Sequence, residues 1–214
     1  LWPWRDANAI SAHRALRGAS GLLHTVAFSP DGQMVASAGR DPAIYLWDAT
    51  SGQLRQTLHG HTQDIYKIAF HPDGNLLASG SADGTVQLWN LHNGHLIDIF
   101  QIDPVMIIYA LAFTPDGGLL ASAGGGPFIR LWDMRQAPMR ELAAARKTVQ
   151  YASEREVLTL AFSPDGAMLA SGGTTLIHLW DRQSGESLMI LRQHIDWVTS
   201  VAFSPDGTTL VSGS

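Results

Sequence analysis

The chain has 214 residues, 45% of them hydrophobic and 15% charged, so it can bury a core and is not disordered, and its apolar runs are too short to span a bilayer. Its formal charge of -5 argues against a phosphate-tracking surface, so nucleic acid is not an expected partner. The lack of cysteine excludes disulfides, thiolate metal sites and cysteine nucleophiles but says little about compartment, and Leu1 to Ser20 lack the features of a secretory signal; a soluble protein in the cytoplasm is the expectation.

One hexapeptide recurs along the chain: AFSPDG from Ala27, AFHPDG from Ala69, AFTPDG from Ala112, AFSPDG from Ala161 and AFSPDG from Ala202. The spacings are 42, 43, 49 and 41 residues, periods that belong to propellers or helical repeats. Pro-Asp-Gly between β-rich runs selects strands. The first unit continues from its hexapeptide to Ser37 and an LWD ending from Leu46.

The second unit is the clearest. Ile65 to Phe70 alternates bulky and small residues, Pro72-Asp73-Gly74 turns the chain, and Leu76 to Gly80 returns. Asp83-Gly84 turns again, Thr85 to Trp89 is a third strand, and a fourth is expected at about His95 to Phe100. Pro sets φ for the turn, Asp bonds the backbone two residues on, and Gly takes the positive φ. Asp31, Asp73, Asp116, Asp165 and Asp206 are therefore turn formers rather than catalytic carboxylates.

The third unit runs through Ser122 to LWD from Leu131, and the fourth through Ser171 to LWD from Leu179. Between them Gln136 to Arg155 is an insertion, read as an extended fourth strand plus loop or as a short helix, either a solvated loop or a docking element. The fifth unit supplies two strands, Val198 to Phe203 and Thr209 to Gly213.

The Trp-Asp endings at this period resemble the WD-repeat family of β-propellers, with hexapeptides of a bacterial type, and the resemblance covers almost the whole chain. It implies an all-β fold of four full four-stranded blades plus partial blades at both ends, an arc of a larger propeller. Residues 1–20 end a preceding blade, with Asn8 to Leu16 as its outer strand. Blade 1 is 21–60, blade 2 is 61–103, blade 3 is 104–152, blade 4 is 153–193, and 194–214 is the first half of blade 5.

In that family a His, a Ser or Thr, an Asp and a Trp brace each blade through hydrogen bonds. Blade 2 carries the full set as His61, Ser79 (with Ser81 as the competing choice), Asp83 and Trp89. Blade 1 keeps Ser37, Asp41 and Trp47, blade 3 has Gly126 in place of the Asp, blade 4 has a shortened turn at Thr174, and blade 5 has His194 after Gln193.

The family presents a face made by the loops leading into the first strands, where partners dock. The matching positions here are Leu22 and His24, Asp64 and Tyr66, Ile107 and Tyr109, Glu156 and Leu158, and Trp197 and Thr199, with Arg40 on the same rim. Tyr, Trp and Arg are the common hot-spot residues. The expected partner-binding set is therefore Arg40, Asp64, Tyr66, Tyr109, Glu156 and Trp197.

Enzyme signatures are missing. Gly124-Gly125-Gly126 lacks the Lys and Ser or Thr of a phosphate loop, and no G-x-S-x-G elbow occurs. His59 with His61, and His92 with His95, have short spacings, yet they lie at strand ends and loops, so no metal, cofactor or catalytic residue is expected. The expected function is a scaffold that binds a protein or peptide, together with further blades or domains of a longer chain. The alternative is a regulatory or sensing segment of a larger NTPase or kinase.

Overall fold

A computed structural model describes residues 21–102, 106–135, 140–141 and 156–214. Blade 1 comprises β1 (Leu23–Phe28), β2 (Met34–Gly39), β3 (Ala43–Asp48) and β4 (Leu54–His59). Blade 2 comprises β5 (Ile65–Phe70), β6 (Leu76–Ser81), β7 (Thr85–Asn90) and β8 (Leu96–Gln101), within a residue or so of the sequence reading. Blade 3 comprises β9 (Ile108–Phe113), β10 (Leu119–Gly124), β11 (Ile129–Asp133) and the two-residue β12 (Arg140–Glu141). Blade 4 comprises β13 (Val157–Phe162), β14 (Met168–Gly173), β15 (Ile177–Asp181) and β16 (Ser187–Leu191), and the chain closes with the hairpin β17 (Ser200–Phe203) and β18 (Leu210–Gly213). Every sheet is an antiparallel meander in sequence order. The proposed strand at Asn8 to Leu16 and most of the 136–155 insertion lie outside the described residues; the described part of the insertion is β12, paired with β11.

The repeated turn forms because its residues satisfy one another. Asp31 Oδ1 accepts the Gln33 amide at 3.0 Å, and Asp73, Asp116, Asp165 and Asp206 take the amide two residues on in the same way. The residue before the Pro also contributes, which the motif reading overlooked. The hydroxyls of Ser29, Thr114, Ser163 and Ser204 donate to the turn carboxylate at 2.5–2.6 Å and accept the amide five residues on. In blade 2 His71 replaces the hydroxyl residue and reaches the next blade, with Nε2 donating to the Gly117 carbonyl at 3.0 Å and its ring edge-on to Phe113 at 5.1 Å.

Core side chains lie between blades. The first interface buries Ala36, Ile44, Leu46 and Leu58 of blade 1 against Ile65, Ile68, Leu77 and Trp89 of blade 2, and equivalent layers join blades 2 and 3, 3 and 4, and 4 and the last hairpin. The first strands are successive neighbours, β1 beside β5, β5 beside β9, β9 beside β13 and β13 beside β17. Blade 1 differs on its other side: Val26 is 66% exposed where the matching Ile68 is 2% exposed, and Leu23 and Phe28 are exposed with it.

Candidate functional site

The site begins with a β-bulge. In β1 Leu23 faces Gly39 and Thr25 faces Ala38, so His24 is an extra residue without a cross-strand partner. The same slip between first and second strands leaves Tyr66, Tyr109 and Leu158 unpaired. A bulge re-aims a side chain out of the regular alternation, and four successive blades do so at one level.

In blades 1 to 3 the residue two before the bulge is fixed by its carbonyl. Leu22 O accepts the Arg40 amide at 2.8 Å, Asp64 O accepts the Ala82 amide at 2.9 Å, and Ile107 O accepts the Gly125 amide at 2.9 Å. This close approach explains Gly39, Gly124 and Gly173 at the ends of the second strands, since a Cβ there would run into the carbonyls of Leu22, Ile107 and Glu156. Blade 2 has Ser81 instead, and its hydroxyl holds Asp64 O at 2.9 Å and takes the Asp83 amide. Ser81 therefore anchors the rim, while Ser79 occupies the bracing network.

The re-aimed side chains form a ladder across three blades. His24 stacks on Tyr66 at 4.6 Å and 6°, and Tyr66 meets Tyr109 edge-on at 5.2 Å and 82°. Asp64 Oδ2 lies 3.5 Å from His24 Nε2. Burial raises the Tyr109 phenol above its ordinary value, and the nearby negative charge of Glu156 adds to the rise. Of the expected binding residues, Asp64, Tyr66 and Tyr109 thus come together, joined by His24, while Glu156 is linked to them through the effect of its charge on Tyr109. Trp197 stands 49% exposed on the fifth unit and makes no ring contact with the ladder among the described residues. Arg40 is exposed on the rim of blade 1.

Below this face lies the bracing network of blade 2. Asp83 can only accept, so His61 Nδ1 donates to it at 2.8 Å; His61 Nε2 meets the Ser79 hydroxyl at 2.7 Å, and Trp89 Nε1 donates to Ser79 Oγ at 2.9 Å. Burial pushes the Asp83 carboxyl up, but hydrogen bonds from His61, the Thr85 hydroxyl and the Thr62 amide outweigh it and hold the group well below the usual carboxylate range. Gly60 is required beside this network, because a Cβ would come within 2.7 Å of both Gln87 and the Trp89 ring.

The Trp to Ser bond recurs at 2.8–2.9 Å in Ser37 with Trp47, Ser122 with Trp132 and Ser171 with Trp180. In blade 1 Asp41 accepts from the Tyr45 hydroxyl at 2.6 Å, and in blade 4 His178 stacks on Trp180 at 5.0 Å. His194 reaches Ser212 at 2.7 Å and Ser214 at 2.9 Å in the last unit. Among the described residues no group of three or more metal-ligating side chains forms, and no helix is long and apolar enough to cross a membrane.

Comparison with known proteins agrees with this geometry. Segments of 52 and 38 residues are similar to parts of two named proteins: 40% identical to "Periodic tryptophan protein 2 homolog" of Dictyostelium discoideum, covering 24% of this chain and 5% of that one, and 53% identical to "Small ribosomal subunit protein RACK1" of Medicago sativa, covering 18% and 12%. The corresponding protein of Glycine max is 50% identical over 38 residues, again 18% and 12%. The matched segments span about an eighth or less of these relatives. The family profile "WD domain, G-beta repeat" matches residues 10–48, 52–90, 103–133, 146–181 and 185–214. With five matched repeats, each built on the same turn and strand pattern, the chain belongs to the WD-repeat family.

Proposed function

We propose that this chain is a non-catalytic scaffold that holds a protein or peptide on the face carrying Arg40, Asp64, Tyr66, Tyr109, Glu156 and Trp197. The observation that carries the reading is the ladder of His24, Tyr66 and Tyr109, set by a bulge repeated in register from blade to blade. Aromatic side chains offer large contact area at little cost in rotamer entropy, and a row of them on adjacent blades presents a continuous track for an extended chain. His61, Ser79, Asp83 and Trp89 serve as the brace beneath it, and the proposed setting is the cytoplasm.

We also propose that the blades are an arc of a larger ring, divided as 21–60, 61–103, 104–152, 153–193 and 194–214. The exposed Leu23, Val26 and Phe28 support this, since matching residues of the following blades are covered by a neighbour. Other domains of such a longer chain would decide between a free-standing scaffold and a regulatory segment of an NTPase or kinase.

Panning a random peptide library against the chain tests the binding face. Selected peptides are expected to lose most of their binding when Tyr66, Tyr109 and Trp197 are together replaced by Ala. Undiminished binding to that folded variant would move the site elsewhere.

A further inference from the structure

We propose that β16 is a dimerisation edge, along which two copies of this chain pair as antiparallel strands about a two-fold axis at Met189. The edge is separate from the bulged face and does not depend on it. β16 is the fourth strand of its sheet and the bulged β13 the first, three strand spacings or about 14 Å apart, so a dimer leaves the bulged face open and carries it twice.

The first reason is the composition of the edge. β16 ends the sheet order β13-β14-β15-β16, so beyond β15 it pairs with no other strand among the described residues. Its sequence Ser-Leu-Met-Ile-Leu carries no charge, and Leu188, Met189 and Ile190 are 54%, 53% and 40% exposed. An uncharged apolar edge is a template for another strand, and proteins that stay apart place charges on such edges. The outer strands of the other blades do so, with Arg55 in β4, Asp98 in β8 and Arg140 and Glu141 in β12. A bulge near the start of the outer strand recurs in β4, β8 and β16, so it does not set β16 apart. The missing charge does.

The second reason is that the flanks of this strand complement one another. Glu186 and Arg192 lie at equal distances before and after Met189, both exposed, and neither joins an ion pair among the described residues. In an antiparallel pair related by a two-fold axis, residues equally far from the axis face each other. An axis at Met189 therefore sets Glu186 opposite the partner's Arg192, and the same ion pair forms again at the other end. Between them Leu188 meets the partner's Ile190, and Met189 meets the partner's Met189. Opposite charges across two strands stabilise the pairing and like charges oppose it. Shifting the axis to Ile190 would place Arg192 against the partner's Leu188, so the charges select the register. The same pairing of β8 about Asp98 would bring two carboxylates face to face.

The test is sedimentation velocity of the full chain over a range of concentrations. An edge of this size makes a weak contact, so a reversible dimer is expected whose fraction rises across the micromolar range. Met189→Lys places two ammonium groups opposite each other and is expected to abolish the dimer, and mixing it with Met189→Glu is expected to restore one. Glu186→Arg and Arg192→Glu, exposed positions outside the strand, are each expected to weaken association about tenfold, and the two together in one chain to recover it. That recovery separates an effect on pairing from an effect on folding. Val26→Lys and Val211→Lys, at apolar positions exposed on β1 and β18, are expected to leave the dimer unchanged. A chain that stays monomeric throughout would overturn the inference. So would a dimer lost in the Val26 or Val211 variant but kept in the Met189 variant, or a double exchange of Glu186 and Arg192 that recovers nothing.

Discussion

Ser79 is the residue on which blade 2 converges. Its hydroxyl meets both His61 and Trp89, two buried groups, whereas among the described residues Ser122 in blade 3 meets Trp132 alone in the corresponding network. Ser79→Ala leaves two buried polar groups without this partner and Ser122→Ala leaves one. A buried orphan costs about 1–3 kcal/mol, so urea denaturation should show a loss of about 1–3 kcal/mol for Ser122→Ala and about twice that loss for Ser79→Ala. Equal losses would mean that His61 draws its support from Asp83 alone. The Ser and Trp positions recur in the sequence, ten residues apart in blades 1 to 3 and nine in blade 4, and the resemblance to the WD-repeat family supplied their pairing. The partner of Asp41 was not readable, since the Tyr45 hydroxyl that donates to it follows no repeat.

At the scale of strands, equivalent positions carry unequal burdens. Val26 and Ile68 occupy the same place in β1 and β5, yet one is 66% and the other 2% exposed. Ile68→Ala opens a cavity between two blades and should destabilise the chain by about 2–4 kcal/mol. Val26→Ala removes methyls that already face outward and should cost about 0.5 kcal/mol or less, measured by the same denaturation. Sequence reading found the strands and hairpin turns well, because Pro-Asp-Gly is a local device with a mechanism of its own. It did not find the bulges. A bulge is a mismatch of register between two strands, and nothing in His24, Tyr66, Tyr109 or Leu158 alone announces one. Residues at the right offset could be named from the repeat, but their meeting as a ladder depended on that register. Trp197 shared the offset logic and stands apart from the ladder, on the unit where the described strand begins only at Ser200.

Across the whole molecule, blades repeat one interface while the rim varies, which is how a repeat fold separates stability from recognition. The apolar layers between blades are similar from one to the next, and the bulge positions carry His, Tyr, Tyr and Leu in turn. On the proposed reading, function is written in residues that the fold exposes but does not need. Amide chemical-shift mapping with a library-selected peptide examines this most directly. Shifts should cluster at His24, Asp64, Tyr66, Tyr109 and Glu156 and stay small along the outer strands β4, β8 and β16. Shifts confined to those outer strands or to the Pro-Asp-Gly turns, with the ladder silent, would contradict a binding face built on the bulges.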